Sequence, residues 1–440
     1  MKKFLLLVVV LASALTFAAC GDDKIEVQGI TDTTILVGNT AATTGAYAGV
    51  GVPFNEGMKA VFEQVNANGG IDGRMIEFVT YDDQFDPAKG STYTETLIYT
   101  DKVFAIVGHF GTPTVGATLD VIQEVGVPMV YAATGINALY FQESVGNPVM
   151  AVQPIYKTDG RVMTARALQE ALYGTLATPA KLGATAKVGV LYTNDDVGNS
   201  IKAGVEIEAE ELGKTANFQY EAVTSDTVAT AVNKLKTAGV SAVILAMNQA
   251  PFAYTLSAMH DVGLNVPVFT SYVNADITAV DHLKTAVDRP IYTNAWVDVF
   301  SEAGAAAAGA YVACINSTDL DQATKIAYYG NSFAIAGYIA AMVFVEGLRR
   351  VETNEDELTW KNYIAAMEEG PIDIPMGGTV DFSDGKRWGI DSMSLLKYSY
   401  TITLGDNPAT TEVVETDFEI LTEAFAKVRE IETLTAIEAK

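Results

Sequence analysis

Cysteine and histidine are scarce. The 440 residues contain two cysteines, Cys20 and Cys314, and three histidines, His109, His260 and His282. Ligands so few and so scattered cannot build a usual zinc site, which needs four at short spacings. Neither a metal nor any other cofactor is expected. Cys20 directly follows an expected leader and is read as lipidated, so only Cys314 is left as a thiol in the body of the chain and no internal disulfide is expected. The fold must rely on its core. Cys314 stands in the apolar run Ala-Tyr-Val-Ala-Cys-Ile and is read as a packing residue. Basic residues are few as well: 28 Lys and Arg against 54 Asp and Glu give a net charge of −26. A nucleic-acid binder needs a cationic footprint, and this chain has the opposite sign. Docking on anionic lipid through a basic face is disfavoured for the same reason. Charged residues make up only 19% and apolar ones 49%, which excludes intrinsic disorder and provides for two sizeable cores.

A catalytic inventory is missing too. Gly330-Asn331-Ser332-Phe333-Ala334 is part of a nucleophile elbow without its final glycine, and it opens a predicted helix with no clear strand before it. His260 and His282 lack a setting for a general base. In Gly49-Val50-Gly51-Val52-Pro53-Phe54, Phe54 stands where a dinucleotide fingerprint has its third glycine. Tyr81-Asp82-Asp83 fits no calcium-loop spacing and is read as a solvated loop. The chain is therefore expected not to be an enzyme, with an α/β hydrolase as the alternative of another class.

What is there begins with an address. Lys2 and Lys3 precede an apolar run from Phe4 to Ala19, shorter than the ~20 residues that span a bilayer. A basic start, an apolar middle and small residues at the end read as a secretory signal over 1–19. Phe17-Ala18-Ala19-Cys20 resembles a bacterial lipobox, in which the Cys20 thiol is lipidated and the chain is held outside the cytoplasm, in the periplasm or on the cell surface. A spacer over 20–30 follows.

Strand and helix patterns then alternate. Ile35 to Val37, Ile76 to Val79, Val103 to Val107 and Val127 to Tyr131 read as buried strands. Phe54, Met58, Val61, Phe62 and Val65 recur at helical spacing before the stop Asn68-Gly69-Gly70. The pattern restarts with strands at Val188 to Tyr192, Phe218 to Tyr220, Ala242 to Ala246 and Val266 to Phe269. Long helices are predicted near 331–350 and 357–369, strands at 379–382 and 392–404, and a closing amphipathic helix over 416–439. Short apolar strands between helices predict parallel sheets covered on both faces.

Four stretches carry a resemblance. They are Thr44-Gly45-Ala46-Tyr47-Ala48-Gly49 with the helix end Val65 to Gly73; Tyr81-Asp82-Asp83-Gln84 with Asp86-Pro87; Ile106 to Thr112 followed by Val130 to Thr134; and Gly378 to Arg387. In order and spacing they resemble type I periplasmic binding proteins, in particular the branched-chain amino-acid group of ABC-transporter receptors. The resemblance implies a type I periplasmic binding fold: two doubly wound α/β lobes joined by three crossovers, with a ligand cleft between them. Lobe 1 is placed at 31–151 and 293–377, lobe 2 at 152–292 and 378–440. It also implies ABC permease subunits as partners, a small-molecule ligand, no nucleic acid, a membrane contact only through the lipid anchor, and a monomer. A ligand-sensing module of the same fold is a further alternative. Such sensors normally continue into a membrane span, and no second apolar segment of that length is read here.

Gly111 and Thr112 lie between a strand and a helix, where free backbone N–H groups and the positive helix end face outward. Ala133-Thr134-Gly135 repeats the arrangement. The resemblance implies that Thr112 and Thr134 hold a ligand carboxylate and that the Ala132 carbonyl accepts from an ammonium; the alternative is that both threonines only cap helices. Phe110 and Tyr47 are candidate apolar walls, and Tyr156 a further lining residue. In the second lobe the chain departs from the family. Val197 stands where a Tyr is usual, Tyr272 where a Glu pairs with the ammonium, and Gln249 where a Tyr is frequent. Asp195, Asp196 and Asp276 are the nearest replacements. The expected ligand is an aliphatic amino acid or a related carboxylate without the amine.

Overall fold

A computed structural model describes residues 27–175, 177–276, 289–299, 301–390, 392–398, 400–404, 418–422 and 426–433. The expected leader, Cys20 and His282 lie outside the described residues.

The first sheet is built from β1 (Thr34–Ala41), β2 (Met75–Asp82), β3 (Ala105–Phe110), β4 (Met129–Ala133) and β5 (Val149–Met150), in the order β2-β1-β3-β4-β5 and parallel throughout. Helices α1 (Ala48–Ala67), α2 (Pro87–Glu95) and α3 (Thr112–Val125) alternate with the first four strands. The predicted stripe on α1 is the buried one: Phe54, Met58, Val61, Phe62 and Val65 all lie in the core.

After β5 the chain enters the second unit. Its elements are α4 (Tyr156–Gln169), the small hairpin β6 (Tyr173–Thr175) and β7 (Thr178–Ala180), β8 (Lys187–Thr193), α5 (Asp196–Glu211), β9 (Phe218–Val223), α6 (Val228–Ala238), β10 (Val240–Ala246), α7 (Gln249–Val262), β11 (Val268–Thr270) and β12 (Ile291–Ala295). Strands β9-β8-β10-β11-β12 repeat the strand order of the first sheet. The same doubly wound unit is thus used twice.

The chain then returns through α8 (Glu302–Asn316), α9 (Gln322–Tyr328), α10 (Ser332–Thr353), α11 (Trp360–Met367) and the hairpin β13 (Ile372–Asp373) with β14 (Thr379–Val380). Among the described residues, α10 alone is long and apolar enough to cross a membrane. Two thirds of its apolar window is buried, so it is a core helix that sequence reading had not ranked as a span. It crosses α1 at backbone distance: a Cβ added to Gly337 would stand 1.8 Å from the Phe54 carbonyl oxygen, and one on Gly57 2.0 Å from that of Ala334.

Arg387, fully buried, donates to the Asn147 carbonyl at 2.9 Å and pairs with Glu368. These contacts keep the chain on the first unit past the expected crossing near Gly377; the change of sheet comes between Arg387 and β15 (Ser392–Lys397). β15 runs antiparallel to β12. The tail departs from expectation. β16 (Tyr400–Leu404) falls within the strand expected over 392–404, but where a helix was expected over 416–439 the described residues form β17 (Phe418–Thr422) and β18 (Ala426–Thr433). β16 and β17 form a hairpin, and β18 pairs antiparallel with β15. Without β18, β15 would present a row of unpaired backbone groups, and satisfying that edge outweighs helical patterning.

Candidate ligand-binding site

The segments that follow β1, β2, β3 and β4 and those that follow β10, β11 and β12 line a cavity of about 380 Å³. β3 ends at Phe110, and Gly111 takes φ of +97°, a conformation glycine adopts freely, to start α3. Thr112 is the first residue of that helix and Thr134 directly follows β4. Their hydroxyl oxygens lie 2.8 Å apart, with both residues buried. The Ile136 N–H donates to Thr134 Oγ1 at 3.2 Å.

Tyr156 opens α4, and its N–H donates to the Gly135 carbonyl at 2.6 Å. Burial pushes its phenol pKa up, while the Thr112 and Thr134 hydroxyls and the Gly135 N–H beside it oppose that rise. Three hydroxyls and a backbone N–H therefore converge beside the positive end of α3. Among the described residues, no Lys or Arg lines the cavity. The cradle suits an anion held by neutral donors.

The walls are aromatic. Tyr47 stacks on Phe85 with centroids 4.0 Å apart. Phe54 meets Phe110 at 5.8 Å and Tyr131 at 5.7 Å, and Tyr131 meets Trp296 at 6.2 Å. Tyr131 reaches the cavity through a backbone device: it has φ of +62° inside β4, opposite Gly108 at +66° in β3. The pairing passes from Val107–Val130 to His109–Ala132, stepping over both. A positive φ at an aromatic residue is strained and marks a constrained position. The Tyr131 hydroxyl donates to Gln153 Oε1 at 3.1 Å, Gln153 Nε2 to the Tyr272 oxygen at 3.2 Å, and the Tyr272 hydroxyl to the Pro154 carbonyl at 2.6 Å.

Of the residues singled out by sequence, Tyr47, Phe110, Gly111, Thr112, Ala133, Tyr156, Gln249 and Tyr272 line the cavity. Thr134 joins through its bond to Thr112. Ala132 and Val197 do not line it; both are buried in the packing of their own units. Asp195 caps α5, accepting from the Gly198 N–H at 2.8 Å and the Thr193 hydroxyl at 2.9 Å, and Asp196 is exposed. Asp276 does line the cavity, accepting from the Ser332 N–H at 3.0 Å and hydroxyl at 2.6 Å. Ser332 thereby has a carboxylate, and no histidine, for a hydrogen-bond partner. Gln249 donates to the Val273 carbonyl at 2.8 Å.

Asp83 corrects the solvated-loop reading. It is fully buried, accepts from the Thr40 and Thr114 hydroxyls at 2.7 and 2.9 Å and from the Phe85 N–H at 2.8 Å, and burial pushes its pKa up. It ties the ends of β1 and β2 to α3. Phe54, Phe85, Tyr131, Gln153, Trp296 and Leu396 are lining residues that sequence reasoning missed. All but Phe54, which lies within α1, share a position near or just beyond a strand end.

A family model described as periplasmic binding protein matches residues 34–399. The chain belongs to the periplasmic binding protein family. An amino acid binding protein of Pseudomonas aeruginosa is 32% identical over 93 residues, 21% of this chain and 25% of that protein. A Leu/Ile/Val-binding protein homolog of Brucella abortus is 34% identical over 100 residues, 23% of this chain and 27% of that one. The matched stretch thus spans about a quarter of each relative. By name these relatives are solute-binding proteins, not enzymes. Two solved structures share the fold along nearly the whole length. A fatty acid ABC transporter substrate-binding protein from Thermomonospora curvata has a TM-score of 0.67 at 22% identity, covering 92% of this chain and 95% of that one. A branched chain amino acid ABC transporter from Thermus thermophilus with bound valine has 0.71 at 15% identity, covering 93% and 100%. The mixed α/β architecture with parallel sheets is that of a type I periplasmic binding protein.

Proposed function

We propose that this chain is the extracytoplasmic receptor of an ABC importer, held to the membrane by a lipidated Cys20, and that it carries a small carboxylate with an apolar tail between its lobes. The observation that carries this reading is the Thr112–Thr134 pair, 2.8 Å apart, at the end of an otherwise aromatic cavity. A carboxylate placed there would receive hydroxyl and backbone donors at a helix start, and charge-assisted bonds of this kind are the strong ones. The two lobes, with the third crossing between Arg387 and β15 rather than at Gly377, would close on it by a hinge motion, and the closed monomer would deliver it to permease subunits.

The two neighbours named above differ in the ligand their titles carry, fatty acid in one and valine in the other, and both ligands end in a carboxylate. Mass spectrometry of the small molecule released on denaturing protein purified from cells tests the reading. A carboxylic acid or amino acid supports it; sugars or polyamines alone overturn it. Fatty-acid labelling that persists in Cys20→Ala overturns the anchor.

A further inference from the structure

Resting on the carboxylate reading of the threonine cradle, we infer that the site takes an amine-free monocarboxylate with a long or bulky apolar tail directed toward the segments joining the lobes. An α-amino acid would bury an ammonium within a bond or two of the carboxylate. A buried ammonium needs a negative or strongly accepting partner. Tyr272, at the wall facing the cradle, is a neutral phenol whose pKa burial holds well above its usual value, and its hydroxyl is spent on the Pro154 carbonyl. The Gln153 amide oxygen beside it accepts from Tyr131. Among the described residues, Asp276 is the one acidic residue lining the cavity. It receives both the N–H and the hydroxyl of Ser332 where α10 starts, so it ties the turn after β11 to that helix rather than standing as a counter-ion poised at the cradle.

The tail side is explicit. From Phe110, one residue before the cradle glycine, ring contacts run through Phe54 and Tyr131 to Trp296, just past β12. Ile335 and Ala336 of α10 and Leu396 of β15 line the cavity as well. Trp296 directly follows β12, where the chain leaves the second sheet, and Leu396 lies in β15, which pairs with β12. An apolar chain starting at Thr112 therefore has a continuous aromatic and aliphatic wall leading to the hinge. Each buried methylene contributes about 0.8 kcal/mol, or roughly four-fold in affinity.

The test is calorimetric titration of the full-length mature protein, freed of bound ligand by dialysis. The probes are butanoate, hexanoate, octanoate, 3-phenylpropanoate, their 2-amino counterparts, and octanamide. Affinity is expected to rise roughly four-fold per methylene along the alkanoates. Each 2-amino acid should bind at least about ten-fold more weakly than its amine-free partner, and octanamide more weakly than octanoate. In Ala336→Phe, whose ring would enter the tail space, octanoate should lose at least about ten-fold more affinity than butanoate. An amino acid that binds as tightly as its amine-free partner, or a flat chain-length series, overturns the inference while leaving the cradle in place. Octanamide binding as well as octanoate instead removes the carboxylate cradle on which it rests. A lowered apo melting point with equal losses for butanoate and octanoate in Ala336→Phe would show the wall is not where the tail lies.

Discussion

The Thr112 and Thr134 hydroxyl oxygens lie 2.8 Å apart, which fastens the loop after β3 to the loop after β4 before any ligand arrives. That bond separates two costs in the variants. In Thr112→Val or Thr134→Val, the bound carboxylate loses a charge-assisted partner, about 1.5–3 kcal/mol, or roughly ten- to a hundred-fold in affinity. The apo protein loses a neutral hydrogen bond, about 0.5–1.5 kcal/mol. Thr134→Val should cost more apo stability than Thr112→Val, because it also strands the Ile136 N–H. Titration calorimetry and apo melts on both variants check this. Intact affinity with a depressed melting point would leave the pair as helix and loop caps only.

Tyr156→Phe removes the third hydroxyl and keeps the ring. A loss of about ten-fold in affinity is expected for one charged hydrogen bond. Burial raises the Tyr156 pKa from its usual value, so the phenol stays a protonated donor through neutral and mildly alkaline pH. Wild-type affinity for a carboxylate should therefore be flat from about pH 6 to pH 9. A binding midpoint inside that window would show that a different group titrates at the cradle.

Two buried groups give stability opposite pH slopes. Asp159, wholly buried in α4, accepts from Asn294 Nδ2 at 2.7 Å, and desolvation pushes its pKa up to about 6. The folded state thus holds this proton more tightly than the unfolded chain, whose pKa is about 3.9. Its contribution is present below about pH 4 and is lost as pH rises through about 6, on the order of 3 kcal/mol. His109 runs the other way. Its Nε2 lies 2.9 Å from Thr118 Oγ1, and burial lowers its pKa to about 3. Its contribution is present above about pH 6.5 and falls with acidification, by about 2 kcal/mol at pH 5. Between pH 4 and 6 the two offset each other. Asp159→Asn should expose a steep acid loss in apo melting temperature, and His109→Gln a gain on acidification over the same range. Parallel profiles for the two variants and the wild type would remove both assignments.

How much of this was legible in the sequence depends on whether the cause was local. The buried face of α1 follows from spacing alone, since Phe54, Met58, Val61, Phe62 and Val65 recur with the helical period. Gly111, Thr112 and Thr134 were singled out because they sit just past apolar strands, where open α/β sheets bind ligands, and because the family resemblance puts a ligand carboxylate there; position alone left helix capping as the alternative. Tyr131 was read as an ordinary strand residue; its entry into the cavity needs the paired step with Gly108, which no pattern encodes. Trp296 was missed because it reaches the cleft only where the chain leaves β12 for the first unit, and Leu396 because it does so only through the pairing of β15 with β12. The tail was misread for a similar reason: the partner that makes β18 a strand is β15, some thirty residues earlier. Asp83 looked solvated because two of its three donors are distant in sequence, Thr40 in β1 and Thr114 in α3.

The crossing of α1 and α10 offers the cleanest structural test, because it ties core packing to the cavity. Replacing Gly337 with Ala puts a Cβ 1.8 Å from the Phe54 carbonyl oxygen, a backbone atom that cannot rotate away. The helices must separate, and overpacking of this kind costs about 1–3 kcal/mol or more. Alanine would gain about 1 kcal/mol in helix propensity, too little to compensate. Phe54 and Ala336 both line the cavity, so the displaced wall should also weaken the binding of an apolar carboxylate. Gly309 in α8 is the matched control: a Cβ there meets nothing within 4 Å. Gly309→Ala should raise the melting temperature slightly and leave affinity alone, because only propensity changes. Thermal melts with calorimetric titration on the two variants decide the matter. If Gly337→Ala melts at or above the wild-type temperature, the helices do not cross at backbone distance, and the link between that crossing and the cavity wall is lost.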